Sequence, residues 1–311
     1  MANRSAGFDF ELTGFLGLPD KLNIFLSIIM FIVYNITFIS NGSVMTLIVR
    51  KEKLHEPLYI MIANLAFSNL FSDTVTLPKF IAKHWFDGGR ISFLACFIQM
   101  YFVHCLGGME SFILVLMAFD RFVAICNPLR YSSIVTHRVT MVACGTFWYS
   151  VALCTLITLL ILRHSFYGPN KIINLFCNVS ALLRLACEDV TATRGSILIY
   201  SMVVLFLPLT FIILSYAVII LSIFSINHSK GWRKALSTCT THWIVMTLFY
   251  LPRIFVYIAN YARLVFSPDL NVFLIFLHTY LPHLANPIIY CLTTEKIKRT
   301  IANTLKNKIG S

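Results

Sequence analysis

Seven separate apolar stretches limit this chain's possible folds more than any other feature. They run Ile24–Val49, Leu58–Ile81, Phe93–Ile125, Val139–Leu162, Ser196–Ile226, Ala235–Tyr257 and Leu270–Leu292. A helix needs about 20 residues to cross the roughly 30 Å of bilayer hydrocarbon, and each stretch is long enough. No water is available there to satisfy an open backbone, so a long apolar run must close its own hydrogen bonds as a helix. The expected fold class is therefore all-α, a seven-transmembrane helix bundle. It divides into an N-terminal segment 1–23, a helical domain 24–292 and a tail 293–311. Pro208, Pro252, Pro282 and Pro287 fall inside the fifth, sixth and seventh stretches. Each is expected to kink its helix while neighbours satisfy the freed carbonyl.

Composition points the same way. Charged residues make up 12% of the chain and apolar ones 58%, whereas a soluble domain carries about 25% charged residues. The net charge of +12 does not form one basic surface, so it argues for topology and not for nucleic acid. The chain has nine cysteines in 311 residues, without a CxxC pair. That pattern excludes a dense disulfide scaffold and gives no zinc or redox motif. The first 23 residues are mixed and polar. No cleavable signal peptide is expected there, so the first helix acts as an uncleaved signal-anchor.

Orientation follows from the links. Alternate links and the tail carry Arg50, Lys51, Lys53, Arg130, Arg138, Lys230, Arg233, Lys234, Lys296, Lys298, Arg299, Lys306 and Lys308, against only Glu52, Glu56 and Glu295. The opposite side has fewer bases and more acids. The basic side belongs in the cytoplasm, which places the N-terminus outside and the C-terminus inside. The sequon Asn3-Arg4-Ser5 then becomes an outer glycosylation site. In the tail, Ile297, Ile301 and Leu305 recur at helical spacing among lysines, predicting a short amphipathic helix on the membrane surface.

A receptor, a transporter and a channel can all have this layout, and specific motifs separate them. At the inner end of the third stretch lies Met117-Ala118-Phe119-Asp120-Arg121-Phe122-Val123-Ala124-Ile125-Cys126-Asn127-Pro128-Leu129-Arg130-Tyr131. Asp120-Arg121 is an ion pair at a membrane boundary, where an unpaired charge is costly. This run resembles the rhodopsin-like G-protein-coupled receptors and, over its full length, their odorant-receptor branch. There the typical string is MAYDRYVAICNPLRY, and only Phe119 and Phe122 depart from it. Lys234 to His242 is similar to the family's KAxSTCxxH signature. Pro57-Leu58-Tyr59, Ser215-Tyr216, Phe249-Tyr250-Leu251-Pro252 and Asn286-Pro287-Ile288-Ile289-Tyr290 resemble further family segments. Gly108-Met109-Glu110 and Gly168-Pro169-Asn170-Lys171 are similar to its fish-type or class I branch.

The resemblance implies a receptor that binds a small odorant in the outer half of the bundle and activates a heterotrimeric G protein of the olfactory stimulatory type, raising cyclic AMP. It implies residence in the plasma membrane of olfactory sensory neurons. The residues implied in coupling are Asp120, Arg121, Tyr216, Lys234, His242, Tyr250, Asn286, Pro287 and Tyr290. A disulfide between Cys96 and Cys177 is implied, whereas Cys187 lacks its usual partner because Tyr167 stands there. Expected pocket residues are Met100, Val103, His104 and Gly107 on the third helix, with Val179, Tyr200, Val204, Arg253, Val256, Tyr257, Phe276 and Thr279. Val103 occupies the position where aminergic receptors carry an aspartate, which argues against a monoamine ligand.

Three charged positions leave alternatives open. Glu110 lies in mid-membrane, where an acid is functional by default. One reading is a sodium ion held by Glu110, Asn69 and Asn286, with Asp73 in reserve because Asn69 replaces the family's aspartate. The other is a protonated Glu110 hydrogen-bonded to those asparagines. Arg253 needs an acceptor. That acceptor is either an anionic ligand group, with His104 or Tyr257 assisting, or an internal acid such as Asp73 or a loop acid, unless the side chain snorkels outward. His104 reads equally as a satisfied core group. The sequence gives His283 no evident role. A rhodopsin-like receptor for a lipid or peptide is the alternative within the class, and a transporter or channel the alternative outside it. An enzyme is not expected, since the chain has neither a GxSxG elbow nor an HExxH site.

Overall fold

The computed structural model describes residues 9–160, 166, 170–186, 188–225, 231–261, 266–294 and 296–300. Among the described residues, seven helices are long and apolar enough to cross a membrane. They are α1 (Asp20–Arg50), α2 (Pro57–Phe86), α3 (Phe93–Cys126), α4 (His137–Leu160), α5 (Thr191–Ser225), α6 (Gly231–Tyr261) and α7 (Pro268–Thr293). Most outlast the apolar runs that announced them, because a helix continues until its end groups find other partners. α2 begins at Pro57, whose missing N–H costs nothing in the first turn. It ends at Asp87 in the left-handed region, φ 53°, with Gly88 donating back to the Ala82 carbonyl at 3.0 Å. Ser92 and Ser267 cap α3 and α7, accepting from the Ala95 and Leu270 amides.

The bundle buries its polar groups within an apolar core and turns large apolar side chains outward. Asn41, Asn69, Asp73, Glu110, His283 and Asn286 are buried, while Ile39, Phe211, Leu221, Phe255 and Leu292 are exposed. Only an apolar solvent makes that arrangement favourable. One contact shows how the kinks are supported. Pro287 has no N–H for the carbonyl four residues back, that of His283. Asn41 of α1 supplies the donor through Nδ2 at 3.1 Å, and its Oδ1 accepts from Asn69 Nδ2 of α2.

The N-terminal segment is more structured than its sequence suggests. β1 (Asp9–Leu12) pairs antiparallel with β2 (Arg90–Ser92) and parallel with β3 (Lys171–Ile172), giving the order β2-β1-β3. Phe10 and Leu12 are fully buried beneath the α4–α5 link. Four residues carry no readable strand period, so only the two partner strands reveal β1. The amides of Leu16 and Gly17 bind the Asp269 carboxylate at the start of α7, at 2.7 and 2.9 Å. Cys96 and Cys177 form the implied disulfide. Next to it, Gln99 accepts from the Cys177 amide and donates to the Val75 carbonyl, both at 2.8 Å, fixing the link to α2 as well as α3.

The tail is helical over 296–300, with Ile297 fully buried against the core and Lys296 paired to Glu56. Ile301, Leu305 and the final lysines lie outside the described residues, as do Asn3, Tyr167, Gly168, Pro169, Cys187 and Lys230.

Two measurements test this frame. Cys177→Ser releases a closure 81 residues apart in sequence and is expected to lower stability by on the order of 2–4 kcal/mol, read as a lower melting midpoint of the purified chain; an unchanged midpoint refutes that role. Lys83 donates to Glu11 at 2.7 Å and holds its carboxyl below the ordinary value of 4.5. A depressed carboxyl stabilises the fold at neutral pH and loses that effect as pH falls below the ordinary range. The melting midpoints of wild type and Glu11→Gln should therefore converge on acidification, from a gap worth less than about 1 kcal/mol.

Candidate functional site

A cavity of about 500 Å³ lies between α3, α5, α6 and α7, beneath the α4–α5 link. The link reaches over it because the disulfide and Gln99 hold Cys177 against α3. Val103, His104 and Gly107 of α3, Val179 of the link, Tyr200 and Val204 of α5, Arg253, Val256 and Tyr257 of α6 and Thr279 of α7 all line it. Helical spacing brings the α3 and α6 residues to a common wall.

Two expected residues do not line the cavity. Met100 is fully buried one turn from Val103, in the cluster that holds Cys96, Cys177 and Phe10. Phe276 turns to Tyr280, ring centroids 5.5 Å apart, in a cluster with Phe80 and Leu77 of α2. The link and the N-terminal segment pack over these positions instead, through Phe10 and Cys177 at Met100 and through Phe15, Leu175 and Phe176 in the cluster of Phe276. Tyr200 lines the cavity with its hydroxyl already paired to Thr155 of α4 at 2.9 Å. His104 Nε2 is buried without a partner among the described residues.

Other lining residues carried no sequence signal. Asn174, Asn178 and Arg184 come from the link, Arg194 from the start of α5, and Ser72, Ser111, His278 and His283 from helices. An intramembrane histidine is the one clue that sequence offered. Arg184 and Arg194 are exposed at the rim.

The cavity wall on the α3, α6 and α7 side carries a continuous chain of ionisable groups. Asp73 Oδ1 of α2 lies 2.6 Å from His283 Nδ1 of α7. His283 Nε2 lies 3.0 Å from Glu110 Oε1 of α3. Glu110 Oε2 accepts from Arg253 Nη2 of α6 at 3.3 Å. Arg253 also donates to the Phe249 carbonyl at 3.0 Å and stacks its guanidinium 3.7 Å from the Phe249 ring centroid. Arg253 therefore has an internal acid, but it is Glu110, not Asp73 or a loop acid, and it does not snorkel. Glu110 does not pair with Asn69 or Asn286; His283 and Arg253 hold its two oxygens. Asn69 Oδ1, Asn286 Oδ1 and Asp73 Oδ2 accept nothing among the described residues.

The opposite end of the bundle holds the long motif. Asp120 is fully buried and accepts from Arg121 Nη2 at 2.7 Å and Nε at 3.0 Å, and from the Tyr131 hydroxyl at 2.8 Å. Tyr216, Tyr290 and Met117 share one buried cluster with Cys239, and the Tyr290 hydroxyl points at Met117 Sδ, 3.9 Å away. Tyr216 Oη and His242 Nδ1 are buried without partners among the described residues. Higher up, Tyr250 pairs with Ser111 of α3 at 2.8 Å. Pro287 and Asn286 sit on α7 below His283. Lys234 lies on the described backbone of α6, but its side chain is outside the described residues.

The two adjacent glycines of α3 separate cavity from packing. A Cβ on Gly108 would stand 2.8 Å from Val151 Cγ1, whereas one on Gly107 meets nothing within 4 Å. Gly108→Leu is expected to cost about 1–3 kcal/mol by overpacking and lower the melting midpoint. Gly107→Leu should leave the midpoint where it was, and equal losses from both would show that Gly107 faces packed protein.

Comparison with known proteins gives the family. The family model described as "Olfactory receptor" matches residues 30–308. Olfactory receptor 6P1 of Homo sapiens is 32% identical over 99% of this chain and 97% of its own length. Olfactory receptor 226 of Rattus norvegicus is 35% identical over 96% of this chain and 91% of its own length. In fold, the chain is similar to squid rhodopsin, with a TM-score of 0.72 and 20% identity over 94% of this chain and 87% of that one. That likeness speaks for the seven-helix architecture alone. Neither this family nor its fold is that of an enzyme. The cavity above, the Asp120-Arg121 motif below and seven membrane-length helices between them thus belong to a multi-pass membrane protein of the olfactory receptor family.

Proposed function

We propose that this chain is an odorant receptor of the plasma membrane, with its N-terminus outside and its C-terminus in the cytoplasm. A small odorant enters the cavity beneath the disulfide-held link. The signal leaves at the Asp120-Arg121 face to a heterotrimeric G protein of the olfactory stimulatory type, raising cyclic AMP. The observation that carries this reading is a cavity of about 500 Å³, a volume typical of small-molecule sites, at the far end of the bundle from the motif. The basic links fit a cytoplasmic inner face, and the family's name fits expression in olfactory sensory neurons. Gly108-Met109-Glu110 supports a class I-like place within the family.

The ligand in this reading carries an acid group. Arg184, Arg194 and Arg253 line the cavity against one lining carboxylate, Glu110, so the wall attracts anions. His104 and Tyr257, which also line the cavity, assist Arg253 in this reading. A sodium ion at Glu110, Asn69 and Asn286 is not part of the reading, because His283 and Arg253 already hold both oxygens of Glu110.

The test is a cyclic-AMP assay on cells expressing the chain, with matched panels of carboxylates, amines and neutral analogues. Carboxylates are expected to activate. Arg253→Ala should weaken their potency about 10- to 100-fold, as loss of a charged hydrogen bond does, at unchanged surface expression. Silence to every compound sinks the receptor reading. A response to neutral compounds that Arg253→Ala leaves intact removes only the acid group from it.

A further inference from the structure

We propose that the chain Asp73–His283–Glu110–Arg253 is a latch between the cavity and α6, and that an odorant's planar oxyanion opens it by replacing Glu110 at Arg253. This deepens the receptor reading above and rests on it. The four side chains come from α2, α7, α3 and α6, so one buried network ties four helices together. Within a membrane-spanning bundle an unpaired charge is costly, and each of these groups is bound to its neighbours.

The latch is weakest at the cavity. Its contacts lengthen from 2.6 Å at Asp73–His283 through 3.0 Å at His283–Glu110 to 3.3 Å at Glu110–Arg253. Arg253, Glu110 and His283 all line the cavity, so an entering group reaches this last contact directly. A guanidinium has five N–H donors in a fixed fork. Arg253 spends donors on the Phe249 carbonyl and one Glu110 oxygen, with a single contact to each. A free carboxylate can meet the fork with two parallel hydrogen bonds, a better match than the single long contact to Glu110.

The exchange strands no charge. Each ring nitrogen of His283 faces a carboxylate oxygen, and a proton must lie in each contact for it to hold. When Arg253 turns to the ligand, Glu110 keeps His283, and Arg253 gains a new carboxylate. Breaking a buried pair is costly mainly because one partner is left alone, and here neither is. A neutral ester or alcohol offers no second charge and leaves Glu110 in place. The freed element is α6, whose lower half carries His242 beside the Asp120-Arg121 end of the bundle. A ligand can bias such a two-state element only through a contact that differs between its states, and the Glu110–Arg253 contact is such a difference.

The experiment measures ligand-independent and acid-stimulated cyclic AMP for wild type, Arg253→Gln, Glu110→Gln and the double variant, each normalised to surface-exposed receptor. Arg253→Gln leaves Glu110 on His283, so it carries the test if Glu110→Gln fails to reach the surface. A latch predicts that each single variant raises the ligand-independent signal about 5-fold or more, the low end of typical inter-site coupling. It also predicts that the double variant rises no further, because one contact is broken in all three. Arg253 acting as a mere ligand contact would lose the acid response with an unchanged ligand-independent signal, and that overturns the latch while the receptor reading stands. Wild type answering acids and their methyl esters equally overturns the exchange. Wild type and all variants silent to the whole panel overturn the receptor reading and the latch with it.

Discussion

The rest of the bundle is arranged around a line of buried charge. Two carboxylates, a guanidinium and an imidazole lie inside a hydrocarbon-facing fold, where a charge without a partner is costly. Their mutual contacts set how close α2, α3, α6 and α7 come on the side of the cavity. The surrounding uncharged groups follow the same rule. Asn41 completes the carbonyl that Pro287 leaves open, Tyr280 donates to Thr76 at 2.9 Å, and Ser111 pairs with Tyr250. In this solvent an inward polar group is stabilised by a partner within the protein, and those partnerships help to specify which helix faces which.

The cavity exists because its roof is fixed independently of its walls. The disulfide fastens the α4–α5 link to α3, and Gln99 fastens it to α2 through one side chain. The small sheet then draws in the N-terminal segment, and Asp269 binds that segment to the start of α7. Three parts of the chain far apart in sequence are thus held over the bundle. The walls remain free to be shaped by side chains, as Gly107 shows by leaving open space beside its packed neighbour Gly108.

The two ends of the bundle obey different chemistry. At the cavity end, charges are paired in a chain with its weak contact exposed to an incoming group. At the motif end, Asp120 is fully enclosed by Arg121 and Tyr131. Between them lies a cluster of Leu, Ile, Met and Phe side chains, and Tyr216 Oη and His242 Nδ1 at its motif end lack partners among the described residues. An apolar middle transmits shifts of packed helices, because a close-packed interior resists continuous deformation.

The sequence by itself determined the seven helices, the family motifs, the cysteine pair implied by resemblance and part of the cavity wall. These features are local. Length, apolar content and helical spacing place a residue on a face without reference to the rest of the chain, which is why Val103, His104 and Gly107 were legible together. Only the tertiary structure decided the partners. Arg253 chose Glu110, His283 acquired a place between two acids, Met100 and Phe276 were covered, and residues 9–12 became a central strand. The physical reason is that pairing depends on how helices are rotated and stacked against one another. That is a property of distances between residues as far apart as 73 and 283, and no local pattern carries it.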